Sequence, residues 1–357
     1  MKISYKFAVR LLVFLIINSC APTSKKDNIV AFKRTFTLEH KTYDTELLIS
    51  NGRLAVIDSF LIIVSRQQES LCKVYSIPNN MKELYSYGRI GNGPGEFIQP
   101  LLTYSFENTF GLNEVNKQEL AIMKLTNTND SLSIIEQDRL KAPYKMKKNE
   151  LVPPDYYFVK LNDSCYVSLL LGGKGRFFSL LDSTLIPINQ FGESPISEEL
   201  PVLSSRNRLQ GRIAAHDGAM AFATSNLPYI SCYQFTSNYM QKKWSFFYDQ
   251  PYYTVRNNDL LFDKDKSFGK VIGLKMDNQF IYLLYLDQLL SEYDYHDTEK
   301  SLANVILVFD HDGNSVAKLD LSCRISEMAL SKDEKKIYGI AHLPEPTLVE
   351  FLSPLLP

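Results

Sequence analysis

The stretch YGRIGNGPGEFIQP, residues 87–100, decides the architecture of this chain. It holds four of the sixteen glycines and two of the sixteen prolines within fourteen residues. A strand-like run, MKELYSY (residues 81–87), leads into it, and another, LLTYSF (residues 101–106), follows it. Glycine adopts positive φ at little cost and proline fixes φ, so the chain can bend sharply here. We therefore interpret the stretch as a joint between two units of β-sheet.

Three side chains of this joint have expected roles. Phe97 can insert between adjacent sheets as an apolar wedge, Glu96 can accept hydrogen bonds from backbone N–H groups in the bend, and Arg89 can pair with Glu96. Successive glycine N–H groups can also form an anion-binding nest. However, the spacing GNGPG lies between two predicted strands, and no GK[ST] follows it. A structural joint is therefore favoured over a phosphate-binding loop.

The rest of the chain predicts an all-β fold. Tyrosine and phenylalanine number 21 each, and short apolar runs alternate with turn residues from residue 29 onward. Five groups have four strands each and a sixth has three, over residues 53–87, 101–137, 156–191, 209–247, 271–321 and 325–352. A strand at residues 29–38 is left over at the front, and a further strand is expected at residues 46–50. A six-bladed β-propeller over residues 29–357, whose last blade is closed by the N-terminal strand 29–38, accounts for this pattern and leaves no open edge.

Several segments resemble one known family. The run GNGPGEF (residues 91–97) resembles the G-x-G-P-G-E-F joint of the six-bladed TolB-like and NHL-like propeller lipoproteins of Bacteroidetes. VFDHDGN (residues 308–314) and the end of the chain, residues 331–352, also resemble blades of that family. The resemblance covers essentially the whole mature chain, sharply at one joint and faintly at the others. It implies a six-bladed propeller carried by a lipid anchor.

The first twenty residues resemble a bacterial lipoprotein signal. Lys2, Lys6 and Arg10 precede the apolar run LLVFLII (residues 11–17), which is too short to span a bilayer. The signal ends at Cys20, the expected site of lipidation; the alternative is an ordinary secretory signal with a chance cysteine. Residues 21–28, APTSKKDN, are expected to form a flexible tether. We expect an outer-membrane lipoprotein, and either side of that membrane is open.

Charge and cysteine content narrow the function classes further. The formal net charge is −1, and removal of the three basic residues in the signal lowers it to −4. Such a chain has no basic excess to drive binding to nucleic acid. The four other cysteines, Cys72, Cys165, Cys232 and Cys323, are widely spaced in different predicted strands. An exported protein can pair its cysteines, but free buried thiols are favoured here because such strands rarely approach closely enough for a disulfide.

Motifs for cofactors and metals are weak. DHDGN (residues 310–314) begins like a calcium loop, but position twelve is Leu321 and strands flank the run, so a hairpin turn is favoured. His216-Asp217-Gly218 is likewise expected to form a turn. The five histidines show no HxH or HxxxH spacing and no G-x-S-x-G occurs. We expect no cofactor and no metal, with a site assembled from distant blades as the less favoured alternative.

Candidate ligand contacts lie on the face that carries the blade joints. In a propeller the loops between the second and third strands of each blade share that face with the joints. The residues selected on this basis, and on the joint itself, are Arg66, Arg89, Glu96, Arg176, Tyr229, Tyr293 and His296. The insertion 287–303 (DQLLSEYDYHDTEKSLA) is expected to act as a lid or binding loop, against the alternative of a solvated loop. The insertion 248–268 is expected on the same face.

Two functions remain in competition. The first is a binding or scaffolding module for a protein, peptide or glycan. The second is a propeller enzyme, such as a lactonase, lyase or glycan-active enzyme, with a site in the central channel. The predicted inner strands supply few polar groups: Asp58, Lys160, Arg212, Lys275 and Glu327. That set is thin for a metal site, so binding is favoured.

Overall fold

The computed structural model describes residues 30–45, 52–66, 69–93, 95–128, 131–143, 155–170 and 176–355. The signal at residues 1–20 with Cys20, the tether 21–28 and the expected strand 46–50 lie outside the described residues. Residues 144–154 and Pro94 of the joint also lie outside the described residues.

The first strands of the chain are β1 (Thr35–Leu38) and β2 (His40–Tyr43), and four sheets of four antiparallel strands follow. Blade one contains β3 (Arg53–Ile57), β4 (Phe60–Val64), β5 (Cys72–Ser76) and β6 (Lys82–Tyr87). Blade two contains β7 (Pro100–Phe106), β8 (Thr109–Glu114), β9 (Glu119–Thr128) and β10 (Ser131–Lys141). Blade three contains β11 (Asp155–Lys160), β12 (Cys165–Leu170), β13 (Phe178–Asp182) and β14 (Pro187–Phe191). Blade four contains β15 (Gly211–His216), β16 (Ala219–Thr224), β17 (Tyr229–Thr236) and β18 (Tyr239–Phe247).

Blades five and six share one long strand. Blade five contains β21 (Phe268–Met276), β22 (Phe280–Leu289), β23 (Ala303–Asp310) and the first half of β24 (Ser315–Leu330). The second half of β24 becomes the innermost strand of blade six, beside β25 (Lys336–His342) and β26 (Pro346–Leu352). The prediction of a six-bladed all-β propeller is confirmed.

The N-terminal segment closes the ring, but not with the predicted strand. β2 pairs antiparallel with β26, with Tyr43 opposite Leu348, and so completes blade six. β1, which lies within the predicted closing strand 29–38, instead pairs parallel with β24 at the outer edge of blade five. The prediction that residues 29–38 close the last blade was therefore wrong. The short run HKTY (His40–Tyr43) performs that role.

The core lies between the blades. In order around the ring, the innermost strands β3, β7, β11, β15, β21 and β24 each contact the next, and β24 contacts β3. Central strands are buried on both faces, as in FLIIV of β4 and AMAFAT of β16, because each sheet packs against two neighbours. Clusters of buried apolar side chains span blades one and two, three and four, four and five, five and six, and six and one. Tyr104 and Leu120 link blade two to blade three.

Two local structures were not predicted. A short helix, Val202–Arg208, precedes blade four, and the insertion 248–268 contains the hairpin of β19 (Tyr253–Arg256) and β20 (Asp259–Phe262). Arg208 Nη2 lies 2.7 Å from Asp259 Oδ2, so the helix and the hairpin are held together. Both lie on the joint face.

The smaller turn and thiol predictions are confirmed. Asp310 Oδ1 accepts from the backbone N–H groups of Asp312 and Asn314 at 3.0 and 2.8 Å, which makes DHDGN a strand-connecting turn. Residues 216–218 connect β15 and β16, with positive φ at Asp217 and Gly218. The four cysteines of the blades are buried and free.

Candidate functional site

The joint between blades one and two fixes where the channel opens. The ring of Phe97 is fully buried in the cluster shared by those blades, which confirms its role as a wedge. Glu96 Oε2 accepts from the backbone N–H of Gly93 at 2.8 Å, as expected. A Cβ on Gly91 would lie 2.1 Å from that same Oε2, so the carboxylate approaches the backbone only because residue 91 is glycine. Arg89 is exposed and forms no ion pair with Glu96 within the described part of the chain.

Each innermost strand enters the channel from the face that carries the blade joints. A cavity of about 400 Å³ lies at the channel mouth on this face, and we call it the joint-face mouth. Its walls come from the innermost strands of blades one, two, four, five and six, from residues 64–66 at the end of β4, and from the insertion 287–303. The lining residues that carry charge or an aromatic ring are Arg53, Arg66, Arg212, Glu327, Tyr293 and Tyr295.

An ion cluster forms the floor of the joint-face mouth. Arg53 Nη1 donates to Glu327 Oε2 at 2.5 Å, and Lys275 Nζ lies 3.5 Å from Glu327 Oε1. Lys275 also donates to the backbone carbonyl of Leu54 at 3.4 Å. The Glu327 side chain is 4% exposed, whereas that of Arg53 is 33% exposed. Anything that enters the mouth therefore meets the arginine before the carboxylate.

The surrounding cations keep Glu327 ionised. Burial alone would raise the pKa of Glu327, but the charges of Arg53, Lys275 and Arg212, with the hydrogen bond from Arg53, outweigh it and hold that pKa below its usual value. The Glu327 carboxylate in turn raises the pKa of Arg53. Burial raises the pKa of the neighbouring Tyr157 hydroxyl against the opposing charges of Arg53 and Arg212. At neutral pH the floor therefore holds a negatively charged Glu327 beside a positively charged Arg53.

Arg212 extends the positive charge across the channel. It lies on β15 of blade four, and its Nε donates to the backbone carbonyl of Ile272 in blade five at 2.9 Å. That bond orients the guanidinium, whose charge also acts on the Glu327 carboxylate, so Arg212 belongs to the ion cluster of the floor. Among the described residues, the charged side chains that line the mouth are three arginines, Arg53, Arg66 and Arg212, and one glutamate, Glu327. The mouth therefore carries a positive excess.

The insertion of blade five lies over one side of the mouth. The backbone N–H groups of Leu290 and Ser291 donate to the carbonyls of Ser267 and Lys264 at 2.9 and 3.0 Å. These bonds confirm that the insertions 248–268 and 287–303 lie side by side on one face. Lys270 Nζ sits 3.9 Å from the centre of the Tyr293 ring, a cation–π contact that positions this ring at the cavity.

The tip of the insertion presents a second aromatic group. Tyr295 is 70% exposed, and its ring contacts that of His296 at a tilt of 38°, with centroids 3.7 Å apart. Asp297 caps the short helix Thr298–Ser301 by accepting from the backbone N–H groups of Glu299 and Lys300. The loop is thus ordered by its own side chains, and Tyr295 reaches the mouth from an ordered base.

Only some of the predicted contact residues line the joint-face mouth. Arg66 and Tyr293 line the joint-face mouth, and His296 is exposed beside Tyr295. Arg176 is exposed outside the cavity. Tyr229 is buried in the interior cluster and packs edge-to-face on Phe247 with centroids 5.5 Å apart.

The inner-strand residues that the sequence singled out also separate. Arg212, Lys275 and Glu327 enter the channel as expected. Asp58 lies at the opposite mouth, where Lys332 Nζ pairs with it at 2.5 Å. Lys160 pairs with Asp163 at 3.1 Å and covers the ring of Phe106.

Two channel residues were missed by sequence reasoning. Arg53 opens the first innermost strand, RLAVI, and Tyr157 lies in the innermost strand of blade three. The position of Arg53 at the start of a predicted inner strand is a usable signal, because these strands begin at the joint face. Its partner Glu327 lies 274 residues away, so the pair itself has no local signature.

The opposite mouth of the channel has a different character. It is a cavity of about 380 Å³ at the ends of the innermost strands. Four carboxylates line it, from Asp58, Glu107, Asp277 and Glu334, against the two lysines Lys275 and Lys332. Burial, together with the charge of Asp277, raises the pKa of Glu334. The channel therefore runs from a positive joint-face mouth to a negative opposite mouth.

Where the structure describes the chain, no group of three or more His, Cys, Asp or Glu side chains is placed to hold a metal ion. Over the same residues, no helix has the length and apolar character needed to cross a bilayer.

Solved structures resemble this fold at low sequence identity. A crystal structure of a Bacteroides fragilis protein, provisionally named as exported, has a TM-score of 0.53 and 11% identity, with 92% of this chain and 96% of that one covered. A luciferin-regenerating enzyme has a TM-score of 0.47 and 10% identity over 89% and 96% of the two chains. The WD40 repeats of RRP9 have a TM-score of 0.43 and 8% identity over 84% and 78%. At these identities the likeness concerns the fold alone.

A comparison with curated proteins returned no match. The TolB-like 6-blade propeller-like family, in contrast, matches residues 31–333, which span blades one to five but not β25 and β26 of blade six. The match agrees with the six-bladed ring of the structure. The chain belongs to the TolB-like 6-blade propeller-like family.

Proposed function

We propose that this protein is an envelope lipoprotein that binds a peptide or glycan ligand at the joint-face mouth of its propeller. One observation carries the proposal: a cavity of about 400 Å³ is lined by arginines on rigid inner strands and by two tyrosines on an ordered insertion. Its volume falls within the range of roughly 300–1,000 Å³ found for small-ligand sites. Ligand sites are typically placed on loops that a rigid scaffold positions.

The chemistry of the rim supports a polar ligand with an apolar face. Tyr295 is largely exposed, and Tyr293 is held at the cavity by Lys270. Tyrosine offers a flat apolar surface together with a hydroxyl group, which suits the face of a sugar ring or a peptide side chain. The arginines below supply charged N–H donors that fix orientation.

The alternative is a propeller enzyme with a site in the same channel. Such an enzyme needs a group poised to transfer protons or to hold a metal. The carboxylate that lines the joint-face mouth, Glu327, is instead buried and engaged by Arg53 and Lys275, which keep its pKa low. A carboxylate held in this way is a poor general acid or base at neutral pH, so binding is the better-supported function.

The cellular address is part of the proposal. The apolar run before Cys20 and the polar tether 21–28 support attachment to the outer membrane by a lipid. Labelling of cells with a radioactive fatty acid tests this: the wild type should incorporate label and Cys20→Ser should not. Equal incorporation by both would contradict the anchor.

The binding proposal is tested with arrays of peptides and glycans. Ligands bound by the wild type should be lost in the Tyr293→Ala/Tyr295→Ala double variant and retained by Tyr239→Ala. Tyr239 is an exposed tyrosine on the opposite face and serves as the matched control. Ligand recovered from the complex should be chemically unchanged. Binding that survives loss of both mouth tyrosines, or a ligand recovered as a cleaved or rearranged product, would contradict the proposal.

A further inference from the structure

The charge of the joint-face mouth narrows the class of ligand. In the described part of the chain, its charged lining residues are Arg53, Arg66 and Arg212 against one carboxylate, that of Glu327. A cleft lined by an excess of one sign of charge attracts ligands of the opposite sign, here anions. The acidic opposite mouth, with Asp58, Glu107, Asp277 and Glu334, repels anions from the other end of the channel.

The buried position of Glu327 leaves the cations facing the entrance. Its side chain is 4% exposed and lies behind Arg53, whose side chain is 33% exposed. Lys275 Nζ lies 3.5 Å from the other carboxylate oxygen of Glu327, Oε1. The negative charge is therefore surrounded by its own partners, and the surface that a ligand contacts is positive.

The arginines are also held in place before a ligand arrives. The bond to Glu327 fixes Arg53, and the bond from Nε to the carbonyl of Ile272 fixes Arg212. Arginine presents N–H donors in a planar fork that matches a carboxylate, and a preorganised fork loses less entropy on binding. Arg53 already engages one carboxylate in this site, that of Glu327.

We propose that the joint-face mouth recognises its ligand through a carboxylate group, held between Arg53, Arg66 and Arg212 and covered by Tyr293 and Tyr295. This inference rests on the proposed binding function. Two sources carry the required group: a uronic acid unit of a glycan and an acidic residue of a peptide. The cavity of about 400 Å³ accommodates either as a small unit.

The test uses pairs of probes that differ only in charge. Isothermal titration calorimetry compares D-glucuronate with its methyl ester, and N-acetyl-Ala-Asp-amide with N-acetyl-Ala-Asn-amide. In at least one pair the acid should bind about tenfold or more tightly than its neutral partner, as expected for a charge-assisted hydrogen bond. The pair that shows this identifies the source of the carboxylate. Added salt should weaken the binding.

Variants connect the effect to the arginines. Arg66→Ala and Arg212→Gln should each lower the affinity for the acid about tenfold or more and leave the affinity for the neutral probe little changed. Arg176→Ala, an exposed arginine outside the cavity, is the control and should have no effect. Because Arg66 is exposed, Arg66→Ala reports on binding even if Arg212→Gln folds poorly.

Three results would overturn the inference. The first is equal binding of acid and neutral probes that still depends on Tyr293 and Tyr295, which would leave the binding function standing without the carboxylate. The second is binding of inorganic phosphate in preference to both acids. The third is failure of every probe to bind at millimolar concentration. If the acid probe binds the arginine variants and the tyrosine variants as tightly as it binds the wild type, the proposed binding function is contradicted as well.

Discussion

The guanidinium of Arg53 donates to the carboxylate of Glu327 at 2.5 Å, although 274 positions of sequence separate the two residues. Arg53 opens the innermost strand of blade one, and Glu327 lies on the innermost strand of blade six. These strands are neighbours only because the ring closes. One ion pair therefore links the closure of the propeller to the floor of the joint-face mouth.

Glu327→Gln should destabilise the fold by about 2–3 kcal/mol. Removal of one partner of a buried ion pair typically costs about 3–5 kcal/mol, and partial exposure of Arg53 lowers that cost. Urea unfolding followed by tyrosine fluorescence measures the change. The control is Asp163→Asn, whose carboxylate is 83% exposed in its pair with Lys160 and should contribute less than about 0.5 kcal/mol. Equal effects of the two substitutions would show that the Arg53–Glu327 pair adds nothing to stability.

The Arg53–Glu327 pair should make the free energy of unfolding depend on pH in the acid range. The folded pKa of Glu327 lies below its ordinary value of 4.5, so the stability it supplies is complete above pH 4.5 and is lost as pH falls through the folded pKa. The difference in unfolding free energy between wild type and Glu327→Gln should therefore narrow at acid pH. A difference that stays constant or widens as the solution is acidified would contradict this assignment.

Phe97→Ala should cost about 3–5 kcal/mol, the usual range for a fully buried phenylalanine. The phenyl ring fills the space between blades one and two, so its removal leaves a cavity in the core that these blades share. Thermal unfolding measures the effect. Ile98→Ala, one residue along and exposed, is the control and should shift stability by less than about 1 kcal/mol. If the two variants unfold alike, Phe97 is not a wedge.

Tyr43→Phe should destabilise the closure of the ring by about 1–2 kcal/mol. The Tyr43 hydroxyl donates to the buried carboxylate of Glu350 at 2.7 Å, and Lys336 Nζ approaches the same oxygen at 3.2 Å. Loss of the hydroxyl removes one of these two donors. Unfolding in urea should reveal the cost, whereas Tyr239→Phe at an exposed site should leave stability unchanged. No difference between the two would indicate that this bond does not hold β2 against β26.

The sequence was informative where hydrophobic pattern and turn residues agreed. The four strands of blade five and the wedge position of Phe97 followed from apolar runs and from the Gly-rich joint. The closing strand did not, because HKTY is short and mostly polar, and its place is set by pairing with β26 more than 300 residues later. The helix Val202–Arg208 has Pro201 at its N-cap and no capping side chain, so it lacks the usual start signal.

Part of what was missed had a readable signal. Asn257 and Asn258 both have positive φ at the turn between β19 and β20, and asparagine adopts positive φ more often than most residues do. Arg66 and Tyr293, which were selected from topology, line the joint-face mouth. Its positive charge was not foreseen, because it comes from side chains of several blades that no local stretch of sequence places together.

A crystal structure of the protein with the tightest-binding carboxylate probe would show whether ligand binds in the joint-face mouth. We expect electron density for the probe between Arg53, Arg212 and Tyr293, with its carboxylate on the arginines. Density at the acidic opposite mouth beside Asp58 and Glu334, or at a site away from the channel, would contradict it.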